Sequence, residues 1–156
     1  MRRRKPLITR LRTFVSKRIL VPLVTNYYRK VYGMNIGEGV RISRGARLDK
    51  TNPRGITIGD YTAIVSGASI LTHDFVNRSH ADVSIGKNCF ISFGAIILPG
   101  VTIGDSVIVA GNSVVGRDVP SNCIVMGNPA RVVERDITTG YWGIRLDKGN
   151  ADPVWH

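Results

Sequence analysis

The sequence predicts an all-β solenoid carrying an N-terminal α-helical arm. Three observations predict it: aliphatic residues recur every six positions, small residues follow them where a chain would turn, and the excess positive charge sits in the first thirty residues. A period of six matches neither a helix face nor one long strand. It matches short strands separated by corners, each hexapeptide forming one side of a triangular coil, so that eighteen residues complete a turn and stacking buries a continuous apolar column.

Residues 1–33 form the arm. Ten of the 22 Lys and Arg residues lie within 1–30 with no acid among them, so the formal net charge of +11 belongs here and the remainder is nearly neutral at +1. A nucleic-acid-binding protein would spread basic residues over its folded surface with aromatics between them, and that pattern is absent. Leu7, Leu11, Phe14, Val15 and Ile19 share one helical face, with Arg4, Arg10, Arg12 and Lys17 largely elsewhere. Residues 2–20 are therefore expected to touch an anionic membrane surface, while Val21–Val31 caps the open end of the solenoid. The uncharged stretch 19–28 is ten residues long and interrupted by Pro22, too short for a membrane span. No secretory signal is evident, and the expected location is the cytoplasm, at the inner face of the cytoplasmic membrane.

Residues 34–131 form the solenoid. Its axial positions are Ile36, Ile42 and Leu48, then Ile58, Ile64 and Ile70, then Ile85, Ile91, Ile97, Ile103, Val109 and Val115. A second small or aliphatic position follows four residues later, as at Val40, Ala46, Thr62, Ala68, Cys89 and Ala95. Cys89 and Cys123 fall inside the array and are expected to be free thiols in a reducing compartment. The phase breaks twice. Leu48 to Ile58 is four residues longer than the repeat, and Ile70 to Ile85 is nine longer. Ile70 stacks on Leu48 in this register, so both insertions leave the same side, and a loop leaving a rigid scaffold is where chemistry is expected. Residues 132–156 carry no repeat and read as a strand or short helix ending in a tail.

The stretch 85–133, IGKNCFISFGAIILPGVTIGDSVIVAGNSVVGRDVPSNCIVMGNPARVV, resembles the C-terminal coils of the hexapeptide-repeat acyltransferases. The motifs ILPGVTIGD and GNPARV are most like those of the branch of maltose, galactoside, nodulation-factor and surface-polysaccharide O-acetyltransferases, and the resemblance spans about residues 34–135. It implies a left-handed parallel β-helix, a homotrimer with a site in each cleft between neighbours, and acetyl-CoA as the acyl donor.

His73, where the longer insertion leaves the coil, matches the family's catalytic histidine. Imidazole is suited to removing a hydroxyl proton near neutrality. A carboxylate should orient it, and both Asp74, adjacent in sequence, and Asp49, on the turn stacked below, are candidates. Asp74 is assigned here to the catalytic pair, with Asp49 and Asn52 on the acceptor side. Sugar-modifying relatives carry an Asn where this chain has Arg47. By the same resemblance Gly94, Ala110 and Gly111 would admit the pantetheine arm, and Arg117 and Arg131 would meet coenzyme A phosphates. Phe90 stands at the cleft wall where relatives commonly have Trp.

Three other classes compete with this reading. A zinc enzyme of the γ-carbonic-anhydrase type needs three His ligands, and only His73 and His80 lie near the repeats, with His156 at the end of the sequence; no metal is expected. A non-catalytic scaffold would leave His73 without a role. Among acyltransferases, N-acetylation of an amino sugar is the alternative to O-acetylation. The arm favours a saccharide acceptor, lipid-linked, in surface or exopolysaccharide assembly.

Overall fold

The computed structural model describes residues 19–149. The apolar face of residues 7–15, the expected membrane contact over most of 2–20, and His156 lie outside the described residues. The first described element is helix α1 (Val21–Val31), with Pro22 in its opening turn, where a missing N–H leaves no helical bond unmade. Its inner face lies against the first strands: Tyr28 and Thr25 are buried, and the Thr25 hydroxyl donates to the carbonyl oxygens of Val21 and Val40 at 3.0 and 3.3 Å. Arg29 donates to the carbonyls of Ile36 and Gly37 at 3.1 and 2.8 Å, satisfying acceptors at the edge of the array. α1 thus covers the end of the core.

The array itself is three parallel sheets that successive strands enter in turn. The first sheet holds β1 (Asn35–Ile36), β4 (Ile56–Ile58), β9 (Val83–Ile85) and β12 (Thr102–Ile103). The second holds β2 (Arg41–Ile42), β5 (Ala63–Ile64), β10 (Phe90–Ile91) and β13 (Ile108–Val109). The third holds β3 (Arg47–Leu48), β6 (Ser69–Ile70), β11 (Ile96–Ile97) and β14 (Val114–Val115). Three successive strands make one rung. Leu48 pairs with Ile70, Ile70 with Ile97 and Ile97 with Val115, so the step is 22, then 27, then 18 residues. These steps are the basic eighteen plus the two insertions. The same steps recur in the other two sheets.

Every axial residue is buried, and so is the second series from Val40 to Val119, so the inward residues of all three sheets form one apolar cluster. Polar members of that series are satisfied internally. Thr62 donates to Gly86 O at 2.7 Å and accepts from Cys89 N at 3.0 Å. Both cysteines are free and buried, and burial pushes the Cys89 thiol up to about 12.

The last rung is shorter. Val119 bridges to Ile103, and β15 (Cys123–Gly127) adds to the second sheet and turns back into the antiparallel β16 (Ala130–Arg135). β16 runs through the boundary expected at 131. Residues 137–145 then descend along the turns that join the first sheet to the second. The Ile137 N–H donates to Asn122 O and the Asn122 side-chain amide donates back to Ile137 O, Thr139 donates to Asn88 O, and Trp142 donates to Tyr61 O and, through its indole, to Gly39 O. Tyr141 stacks on Tyr61, and the Arg41 guanidinium lies 3.2 Å from the Trp142 ring centroid. Gly143 has φ +71°, and a Cβ there would lie 2.3 Å from the Phe90 Cβ. Phe90 therefore packs against this strap. Arg145 closes the strap with paired bonds of 2.7 Å to Glu134. One of the three edges between sheets is thus covered.

Candidate active site

Both insertions emerge where the third sheet passes to the first. The shorter one ends in a 3-10 turn (Pro53–Gly55); the longer one forms a two-stranded hairpin, β7 (His73–Asp74) and β8 (Ser79–His80). Because Leu48 stacks under Ile70, the residue after each lies at the same corner, one rung apart, and this register brings Asp49 beneath Thr72 and His73.

Asp49 is the centre of the arrangement. Its Oδ1 accepts the Thr51 N–H at 2.8 Å; its Oδ2 accepts the backbone N–H groups of Thr72 and His73 at 2.9 and 3.1 Å and meets His73 Nδ1 in a short contact. Burial pushes the Asp49 carboxyl up, but the bonds from His73, Thr51 and Thr72 outweigh it and hold the acid well below the usual carboxylate range. An ionised carboxylate can only accept, so Nδ1 carries the proton and Nε2 is left as the basic atom. The His73 side chain is 35% exposed and that of Asp49 only 4%, so the pair presents imidazole outward and hides the carboxylate.

This geometry corrects two assignments. Asp74 does not orient His73: neighbours on an extended strand point to opposite sides, and its carboxylate accepts from Val76 N, Asn77 N and Asn77 Nδ2 in the turn of the hairpin. Those bonds to Asn77 draw the Asp74 carboxyl below its ordinary value. Asp49 is not on the acceptor side, because it is buried under the imidazole. Asn52 ties the insertions together: its carbonyl accepts from the Thr72 hydroxyl at 2.9 Å and its amide donates to Asp82 at 3.2 Å. His80 faces His73 directly across the hairpin and is exposed. Nothing in the six-residue period marks that pairing, since the hairpin lies outside the period. Arg47 is exposed on β3, one rung below.

The residues assigned to coenzyme A divide between two places. Arg117 and Arg131 line a cavity of about 330 Å³ at the upper end of the His73 corner, between the turn after β14 and the β15–β16 hairpin. Asp118 also lines it, but its carboxylate accepts from Thr102 N at 2.7 Å. Gly94, Ala110 and Gly111 lie on a different edge, between the second and third sheets, after β10 and β13. Gly94 has an intrinsic reason to be glycine: its φ is +69°, and a Cβ would lie 2.1 Å from Asn112 Oδ1. Within one chain the third sheet separates these glycines from His73. Among the described residues, no three His, Cys, Asp or Glu side chains stand together as metal ligands, and no helix is long and apolar enough to cross a membrane.

Residues 82–117 match the family model for the bacterial transferase hexapeptide, which has six repeats. The chain is 33% identical over 136 residues to serine acetyltransferase of Synechococcus elongatus, covering 83% of this chain and 52% of that protein. It is 30% identical over 111 residues to galactoside O-acetyltransferase of Escherichia coli, covering 65% and 55%. The solved maltose O-acetyltransferase of Clostridium difficile superposes with a TM-score of 0.53 at 25% identity, covering 84% of this chain and 89% of that one. The chain spans between about half and three quarters of the length of the first curated relatives it matches, from 52% to 74%.

Proposed function

The chain belongs to the hexapeptide-repeat transferase family, and on that premise we propose that it is an acetyl-CoA-dependent O-acetyltransferase acting on a saccharide hydroxyl. The observation that carries the reading is the His73–Asp49 pair at the corner where both insertions leave the array. His73 Nε2 takes the acceptor's hydroxyl proton as its oxygen attacks the thioester carbonyl. Asp49 keeps the ring in the required tautomer and stabilises the imidazolium that forms. The tetrahedral intermediate then collapses, expelling the coenzyme A thiolate, which takes the proton back from His73. Hydroxyl and thioester become ester and thiol with no net proton change.

The family's fold supports reading the three sheets as faces of a left-handed parallel β-helix, assembled as a homotrimer. The placement of the small residues favours that assembly. Gly94, Ala110 and Gly111 lie roughly 20 Å from the His73 corner, the span of six extended residues along the third sheet. A thioester resting on those glycines would therefore reach the His73 of a second copy, and the edge covered by the 137–145 strap takes no part. In this reading Arg117 and Arg131 meet the coenzyme's phosphates in their shared cavity, and the reaction belongs to surface-polysaccharide assembly at the inner membrane face. The likeness to serine acetyltransferase favours a second reading, in which the hydroxyl is that of a small amino acid. Release of coenzyme A thiol from acetyl-CoA, with mass detection of the acetylated product, tests both: turnover with saccharides and none with serine is expected. Turnover with serine alone would overturn the saccharide assignment, and no thiol release with any acceptor would overturn the activity.

A further inference from the structure

α1 has two apolar faces, and the cap uses only one. Opposite buried Thr25 and Tyr28, the outward side carries Leu23, Tyr27 and Val31, in line with Ile19 just before the helix, spaced four residues apart and, from Ile19 onward, 48%, 59%, 46% and 65% exposed. A helix that merely seals a core turns a polar face to water. Lys30 rises within this stripe, three residues after Tyr27, and α1 contains no acidic residue. Two further cations flank the same end: Lys50 lies 5.3 Å from the Tyr32 ring centroid, and the Arg54 side chain passes beside Gly33. The first acidic residue of the whole sequence is Glu38.

From these observations we propose that the outward face of α1 docks on an anionic lipid bilayer, with Ile19, Leu23, Tyr27 and Val31 entering the headgroup boundary and Lys30, Lys50 and Arg54 facing lipid phosphates. Apolar side chains in a row explain insertion, and cations without acids explain the choice of an anionic surface over a protein groove. The consequence for the site deepens the saccharide reading and rests on it. α1 lies under the first rung, and His73 leaves the second. A helix diameter plus two strand spacings puts His73 about 20 Å above the docked face. That height suits an acceptor anchored in lipid whose reactive hydroxyl is carried on a short saccharide, and not one at the headgroup itself.

The test uses the full chain and co-sedimentation with vesicles of phosphatidylcholine, with and without phosphatidylglycerol. Wild type should sediment with the anionic vesicles, and the Leu23→Glu/Val31→Glu double variant should bind at least about tenfold more weakly while keeping its circular dichroism and its oligomeric state. As a second measurement, Tyr27→Trp should shift its emission to the blue on meeting anionic vesicles. Equal binding by the double variant, no spectral shift, or equal binding to neutral vesicles would overturn the docking. So would dissociation of the double variant into smaller species, which would assign the stripe to a second copy. His73→Ala should sediment like wild type, so loss of turnover and loss of docking are separable. Docking without acetyl transfer would sink the enzymatic reading alone, and acetyl transfer without docking would sink this one alone.

Discussion

The upper half of the array and the corner that bears the insertions are built from the same repeat and do different things with it. From β9 to β14 the eighteen-residue step never slips: Ile85, Ile91 and Ile97 sit directly under Ile103, Val109 and Val115. In the lower half the core residues keep that stacking while the chain adds four and then nine residues at one corner. Register is held by buried side chains, because a slip would turn aliphatic residues out to water. The extra residues can therefore leave only between strands. The difference teaches that the period specifies the scaffold, and the breaks in it specify where polar chemistry is displayed.

The largest expected effect lies at the break. His73→Ala should lower acetyl transfer by about a hundredfold to ten-thousandfold, the range for loss of a general base, with the circular dichroism of the wild type retained. Near-wild-type turnover would detach the corner from catalysis. Asp49→Asn should follow at about ten- to a thousandfold, because a neutral amide can present an N–H to Nδ1 and stabilise the wrong tautomer. The same substitution has a pH signature. The folded-state pKa of Asp49 is depressed, so its contribution to stability is complete above the unfolded value of about 4 and is lost as pH falls below it. The melting-temperature gap between wild type and Asp49→Asn should therefore narrow on acidification below that point. A gap independent of pH would mean that the carboxylate's charge does not hold the corner.

In the scaffold the currency is stability. Ile91 is fully buried between Ile64 and Val109, and Ile91→Ala should cost about 2–5 kcal/mol, read as an earlier denaturant midpoint. Turnover per folded molecule should be retained. Loss of turnover in material that remains folded would show that the two regions are coupled more tightly than their separate registers imply.

These contrasts also explain what could be read in advance. The aliphatic phase exposed the three sheets, the position of both insertions and the stacking of residue 49 under residue 71, because each depends on a side chain that must be buried. Choosing between Asp49 and Asp74 needed the extended backbone at β7, which sends adjacent side chains to opposite sides and which an insertion of nine residues does not advertise. The strap was less legible still. Tyr61, Tyr141, Trp142 and Gly143 meet through corner turns far apart in sequence, and the indole of Trp142 reaches Gly39 over more than a hundred residues. No period links them. The left-handed φ of two bulky residues, +53° at Tyr61 and +59° at Trp142, shows that something must hold these turns.

The strap gives the next smaller effect. Trp142→Ala removes the stack over Arg41 and the indole bond to Gly39, and should cost about 1–2 kcal/mol by thermal melting. Turnover should persist, since the covered edge is not the one that bears His73. The smallest effect is expected at Asp74. Its exposed carboxylate organises the turn to Asn77, so Asp74→Asn, which preserves an acceptor oxygen for the Val76 and Asn77 N–H groups, should change acetyl transfer by no more than about twofold. Set against Asp49→Asn this is the sharpest comparison in the molecule: two neighbours of one imidazole, one stacked beneath it and one adjacent in sequence. A loss at Asp74 as large as that at Asp49 would mean that the hairpin's conformation, and not the buried carboxylate, sets the reactivity of His73.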